Sequence, residues 1–309
     1  MSTFQIALSN VLLTLLYIAP GYAACKLKKA SADHLPTLSA VLIYICSPCL
    51  IVTSFLNMDF SWDILGQMGL FFLVTLMLQS AFMAILYGLI HGKYDDARYR
   101  ILTIAAVMGN VGFFGKPIVE ALLPDHPEAV CFSAIFSASM NVLVFTMGIF
   151  CLTRKKEYMT VKAAIVNPAS LSLYVALPLF ILGARHHIPE MLLNSMRLLG
   201  NMTTPLCMFI LGIRLATVPW KTLLLRPFVY GISLCKLVAF PLFGFGIVSL
   251  LPLPAAFKAS VLILSATPCA SIILSLAEIH HSEMELSANC VLVSTLICFL
   301  TIPLLTLLL

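Results

Sequence analysis

Two short stretches hold the residue types from which an anion site inside a bilayer is built. Gly109-Asn110-Val111-Gly112-Phe113-Phe114-Gly115-Lys116-Pro117 combines three glycines, an amide, an amine and a proline. Ser265-Ala266-Thr267-Pro268-Cys269-Ala270-Ser271 combines hydroxyls with a second proline. Neither stretch sustains a plain helix, because proline removes a backbone donor and clashes with the preceding turn. Where a helix stops and resumes, the resuming half presents unpaired N–H groups and a partial positive charge. Such an end attracts a carboxylate. The second halves are expected to begin near Lys116 and near Cys269. The candidate binding residues are Asn110, Gly112, Lys116, Thr267, Pro268 and Ser271, and the candidate helix breakers are Gly109, Gly115, Pro117 and Pro268.

Other reactive residues fit less chemistry. Lys116 and Glu120 lie four apart on one helix face, so either they pair with each other or Lys116 meets a substrate carboxylate. Lys236 either snorkels to the membrane surface or serves a cavity. Glu120 and Lys236 are thus the candidates for ion or proton coupling. Span five, 129–152, has no Asp or Glu, which favours an anionic solute over cation exchange. Cys46 and Cys49 have the spacing of a redox pair, but a thiolate is poorly supported in hydrocarbon. His186-His187 and His280-His281 are neighbours pointing to different faces, without metal-ligand spacing, so no metal and no cofactor is expected.

The elements that must position these residues lie in lipid. Of 309 residues, 61% are hydrophobic and 10% charged, against about 25% charged in a soluble domain. Together with a mean hydropathy of +1.04, this excludes a soluble enzyme, a disordered chain and a nucleic-acid binder, despite the net charge of +5. About 20 apolar residues are needed for each crossing. Candidate spans are 5–24, 35–56, 64–90, 101–123, 129–152, 166–183, 196–216, 227–250, 256–277 and 286–309. The first is expected to be a retained helix rather than a leader, since Lys26, Lys28 and Lys29 follow it and no basic residue precedes it. Thirteen of the eighteen basic residues fall in loops one, three, five and seven, which places those loops in the cytoplasm and both termini outside the cell membrane.

A repeat is visible at an offset of 157 residues. It carries Tyr17 onto Tyr174, Pro48 onto Pro205 (each after a hydroxyl residue, Ser47 and Thr204) and Asn110 onto Thr267. Halves 1–157 and 158–309 would each hold five spans. An odd number inserts the second half upside down, the arrangement of secondary transporters. The expected fold class is therefore an all-α polytopic membrane protein of ten transmembrane helices, in two inverted five-helix repeats with helices four and nine broken and crossing.

The glycine-rich stretch of span four resembles the GN-x-GF-x-G-x-P motif of the auxin efflux carrier family, which includes plant PIN-type carriers and bacterial malonate or malate permeases. Asn167-Pro168, Pro205 with Leu211-Gly212-Ile213-Arg214-Leu215, and Lys236 with Pro241 are similar too, so the resemblance runs through the whole chain. Lys116 stands where that motif has an apolar residue. The resemblance implies a scaffold of spans one, two, six and seven, with Pro48 and Pro205 on it, and a transport core of spans three to five and eight to ten. The expected function is carriage of a small organic anion, a mono- or dicarboxylate, by alternating access. The alternatives are a cation-coupled or cation/proton transporter on the same fold, an intramembrane enzyme and a ligand sensor. Besides the solute and the lipid bilayer, an H⁺ or Na⁺ coupling ion and a homodimeric partner stay open at this stage.

Overall fold

A computed structural model describes residues 2–154, 162, 165–219, 225–279 and 283–309, which form helices and loops with no β-strand. In chain order the helices are α1 (Thr3–Lys26), α2 (Ala32–Leu56), α3 (Trp62–Lys93), α4 (Ala97–Ala105), α5 (Lys116–Leu122), α6 (Pro127–Thr153), α7 (Pro168–Ile181), α8 (Glu190–Thr217), α9 (Pro227–Ser249), α10 (Ala255–Ser265), α11 (Ser271–Ile279) and α12 (Met284–Leu308). Among the described residues seven of them, α1, α2, α3, α6, α8, α9 and α12, are long and apolar enough to cross a membrane. The protein is an all-helical, polytopic membrane protein. Large apolar side chains such as Leu13, Met77, Leu89, Leu182 and Leu250 stand on its outer surface, as a surface solvated by acyl chains requires.

Three of the expected spans take another form. Window 101–123 becomes α4 and α5, window 256–277 becomes α10 and α11, and window 166–183 shortens to the 14 residues of α7. Window 196–216 begins six residues earlier, since α8 starts at Glu190. The basic residues Lys155, Lys156 and Lys221 and the pair His280-His281 lie outside the described residues.

Prolines shape the helices in a regular way. Wide π-helical turns occupy Leu42–Cys46, Val111–Gly115 and Cys235–Ala239. Each ends two residues before a proline, Pro48, Pro117 or Pro241. A proline cannot donate to the carbonyl four residues back, and the wider turn makes room for its ring without ending the helix.

Packing fixes two groups of helices. Phe71 of α3 stacks on Phe132 of α6 with centroids 4.2 Å apart, and Phe257 of α10 stands edge-on to Phe71 at 4.8 Å. Such pairs add specificity to burial. Elsewhere α1 lies directly on α8. Gly21 faces the carbonyl of Phe209, while Gly212 faces Ile18 and Tyr22, so the two backbones touch with no side chain between them.

Candidate functional site

The irregular segments Ala106–Asn110 and Ala266–Ala270 meet inside the bundle. Gly109 lies opposite Cys269 in an isolated antiparallel bridge. The Asn110 amide donates to the Pro268 carbonyl at 2.8 Å, and the Ala270 amide donates to the Met108 carbonyl at 3.0 Å. The Cys269 amide donates to the Ser294 hydroxyl of α12 at 2.9 Å. Unwound backbone is tolerated at membrane depth only where it is satisfied like this or lines a cavity. The two segments correspond at an offset of 160 residues, three more than the repeat visible in the sequence.

The second halves begin elsewhere than expected. Helix resumes at Val111, five residues before Lys116, through the π turn that leads into α5. Its partner resumes at Ser271, two residues after Cys269. Pro117 falls inside the resumed helix rather than at its start, because the widened turn accommodates it. The amides left without intrahelical partners are therefore those just after Asn110 and Ala270.

Both starts face one cavity of about 420 Å³. Its wall is drawn from α2, the crossing, the π turn leading into α5 with Lys116, α6, the first turn of α7 and α11. Of the sequence candidates, Gly109, Asn110, Gly112, Lys116 and Ser271 line it. Among the described residues, Lys116 is the only charged side chain that lines it. Its ammonium lies 3.7 Å from the Glu120 carboxylate, and Glu120 is 61% exposed and outside the cavity wall. An ion pair with so exposed a partner holds the lysine weakly.

The remaining candidates serve the crossing. Thr267 is fully buried and its hydroxyl donates to the Leu264 carbonyl at 2.8 Å. Pro268 contributes its carbonyl to the bridge. Gly115 admits Leu264 and Thr267, either of which would stand within 3.0 Å of a Cβ there. Pro48 and Pro205 are not in the cavity wall, although Ser47 is. Lys236 neither snorkels nor lines the cavity. Its side chain is fully buried behind the crossing, where the ammonium donates to the Ser265 carbonyl at 2.6 Å.

A family of membrane transport proteins matches this chain over residues 6–306. The chain belongs to that family. It is the family of the auxin efflux carriers whose motif span four resembles. An uncharacterized transporter of Methanocaldococcus jannaschii is 24% identical over 305 residues, or 97% of this chain and 98% of the relative.

Several polar groups of the transporter's cavity escape a reading of motifs. Ser133, Ser137 and Asn141 of α6 all line it. Their spacing of four puts them on one helix face, a signal present in the sequence. The Asn141 side-chain amide donates to Asn167 Oδ1 at 3.4 Å, and Asn167 also caps α7 by accepting from the Ser170 amide. Thr204 could not be read in this way. Its hydroxyl donates at 2.7 Å to the Phe113 carbonyl, the group that Pro117 leaves without its i+4 amide. Thr204→Val should therefore strand a carbonyl at a cost of about 1–3 kcal/mol, while Thr204→Ser keeps the bond. Thermal unfolding of the two purified variants checks this, and equal midpoints would remove the role assigned to Thr204.

Proposed function

We propose that this transporter carries a small organic anion, a mono- or dicarboxylate, by alternating access. The observation that carries the reading is that both resumed helices begin on the wall of one cavity, beside Lys116, its single lining charge among the described residues. Two partial positive charges and an ammonium favour an anion. Asn110, Ser137, Asn141 and Ser271 add hydrogen-bonding groups. The volume of about 420 Å³ lies within the range of small-molecule sites, and apolar side chains such as Ile51, Phe113 and Leu276 cover the rest of the wall.

In this reading ten spans form two inverted repeats, 1–157 and 158–309, with the paired breaks as the crossing of spans four and nine. Spans one, two, six and seven are the scaffold, and the core containing the crossing shifts against them. The cavity draws on both groups, which is where a shift would open and close it. Loops one, three, five and seven face the cytoplasm of a cell membrane, and both termini face outward.

Uptake of labelled malonate, malate and phenylacetate into proteoliposomes tests the reading. Saturable uptake of at least one is expected, and none from folded, reconstituted protein would end it. The rival, cation-coupled transport, takes its support from Glu120, the acidic neighbour of the lining lysine. Glu120→Gln is expected to leave uptake within twofold of the parent. Loss of a cation-dependent component in that variant would favour the rival.

A further inference from the structure

Positive charge on the cavity wall is divided between two places. One is the crossing, where the helices resume after Asn110 and Ala270 and their first amides lack intrahelical partners. The other is Lys116, five residues beyond Val111 on the first of these helices. At about 1.5 Å of rise per residue, the two places lie roughly 7 Å apart along the helix axis. Between them Gly112 keeps the wall open, since a Cβ there would meet only the Ser137 hydroxyl, at 3.5 Å.

The two places differ in the charge they can accept. Each helix start carries roughly +0.5 of an elementary charge, so the pair together offsets one carboxylate. The Lys116 ammonium is left for a second. The chain itself supplies a carboxylate there, that of Glu120 at 3.7 Å. The lysine side chain is only 15% exposed, whereas that of the glutamate is 61% exposed. A lysine four residues ahead of its glutamate is also the weaker order of a helical ion pair. Glu120 therefore shows that the ammonium takes a carboxylate partner, and its exposure lets it give way to another.

Resting on the anion reading above, we infer that the solute is a dicarboxylate with one or two carbons between its carboxylates, and that Lys116 selects it. One carboxylate sits at the crossing, against the free amides and Asn110. The other replaces Glu120 at the ammonium. A monocarboxylate fills the first place only and leaves the lysine with Glu120, so Lys116 adds nothing to its binding. An apolar residue at position 116 removes the second place and leaves the first intact.

Initial rates of malate, malonate and phenylacetate uptake into proteoliposomes at neutral pH test this in the parent and in Lys116→Leu, Lys116→Arg and Glu120→Gln. In the parent, Vmax/KM is expected to be at least tenfold higher for malate than for phenylacetate. Lys116→Leu should raise the KM of malate tenfold or more and leave that of phenylacetate within twofold. Should the leucine variant not fold, Lys116→Gln carries the same expectations. Lys116→Arg retains the charge and Glu120→Gln retains the lysine, so each should keep the malate preference within threefold of the parent's. A merely structural lysine would move both solutes together. A parent that carries phenylacetate as well as malate overturns the inference, leaves the anion reading intact and requires no variant to fold. So does a folded Lys116 variant whose malate KM stays within twofold of the parent's, or one that loses both solutes alike. If the folded parent carries none of the three, the anion reading itself fails and this inference falls with it.

Discussion

Asn110→Ala should lower the initial rate of anion uptake tenfold or more without reducing the yield of folded protein. The backbone of Asn110 is held from both sides, its amide by the Pro268 carbonyl and its carbonyl by the Phe114 amide at 3.0 Å. Truncating the side chain leaves these bonds in place. Among the described residues its Nδ2 bonds only to the Cys207 sulfur, at 3.7 Å, a weak acceptor that a carboxylate replaces at little cost. A hydrogen bond to a charged group contributes about 1.5–3 kcal/mol, which corresponds to roughly 10–100-fold in affinity. Asn110→Asp keeps the shape but sets a negative charge against the solute and should abolish uptake. Proteoliposome rates and gel-filtration profiles of the two variants decide the matter. An alanine variant that transports within twofold of the parent would move the site away from the crossing.

The largest effect on stability is expected from Gly212→Ala. A Cβ at that position would stand 2.7 Å from the Tyr22 amide nitrogen and 3.0 Å from the Gly21 Cα, and closer still to the Ile18 carbonyl. All three obstacles are backbone, so no rotamer change relieves them, and α1 must separate from α8. Overpacking of well-packed cores costs about 1–3 kcal/mol, occasionally more. At roughly 2–4 °C per kcal/mol, the unfolding midpoint should fall by about 2–12 °C. Gly66→Ala is the control, since nothing stands within 4 Å of its Cβ. If both variants melt together, the contact between α1 and α8 does not limit stability.

What the sequence makes legible follows from how local each cause is. A long apolar run announces a membrane helix by itself, so α1, α2, α3, α6, α9 and α12 lie close to their expected windows. The breaks are also legible, because glycine, asparagine and proline act on their own backbone. Their start points are not, since a π turn lets Pro117 sit within a helix and moves the free amides to Val111. Non-local effects are hidden altogether. Nothing near Thr204 marks it as the donor to Phe113, 91 residues away. The inward course of Lys236 depends on the bareness of Gly109 in another helix. Thr267 illustrates the converse, a hydroxyl of the right type at the right depth whose bond goes to its own chain at Leu264.

The seam between Met108–Asn110 and Pro268–Ala270 is made from main-chain amides and carbonyls alone. Substitution elsewhere on the chamber wall leaves those atoms untouched. On the anion reading, descendants of this chain are thus free to exchange Ser133, Ser137 or Asn141 for side chains that fit another solute while inheriting the same join, a division between chassis and payload that lets one architecture diversify.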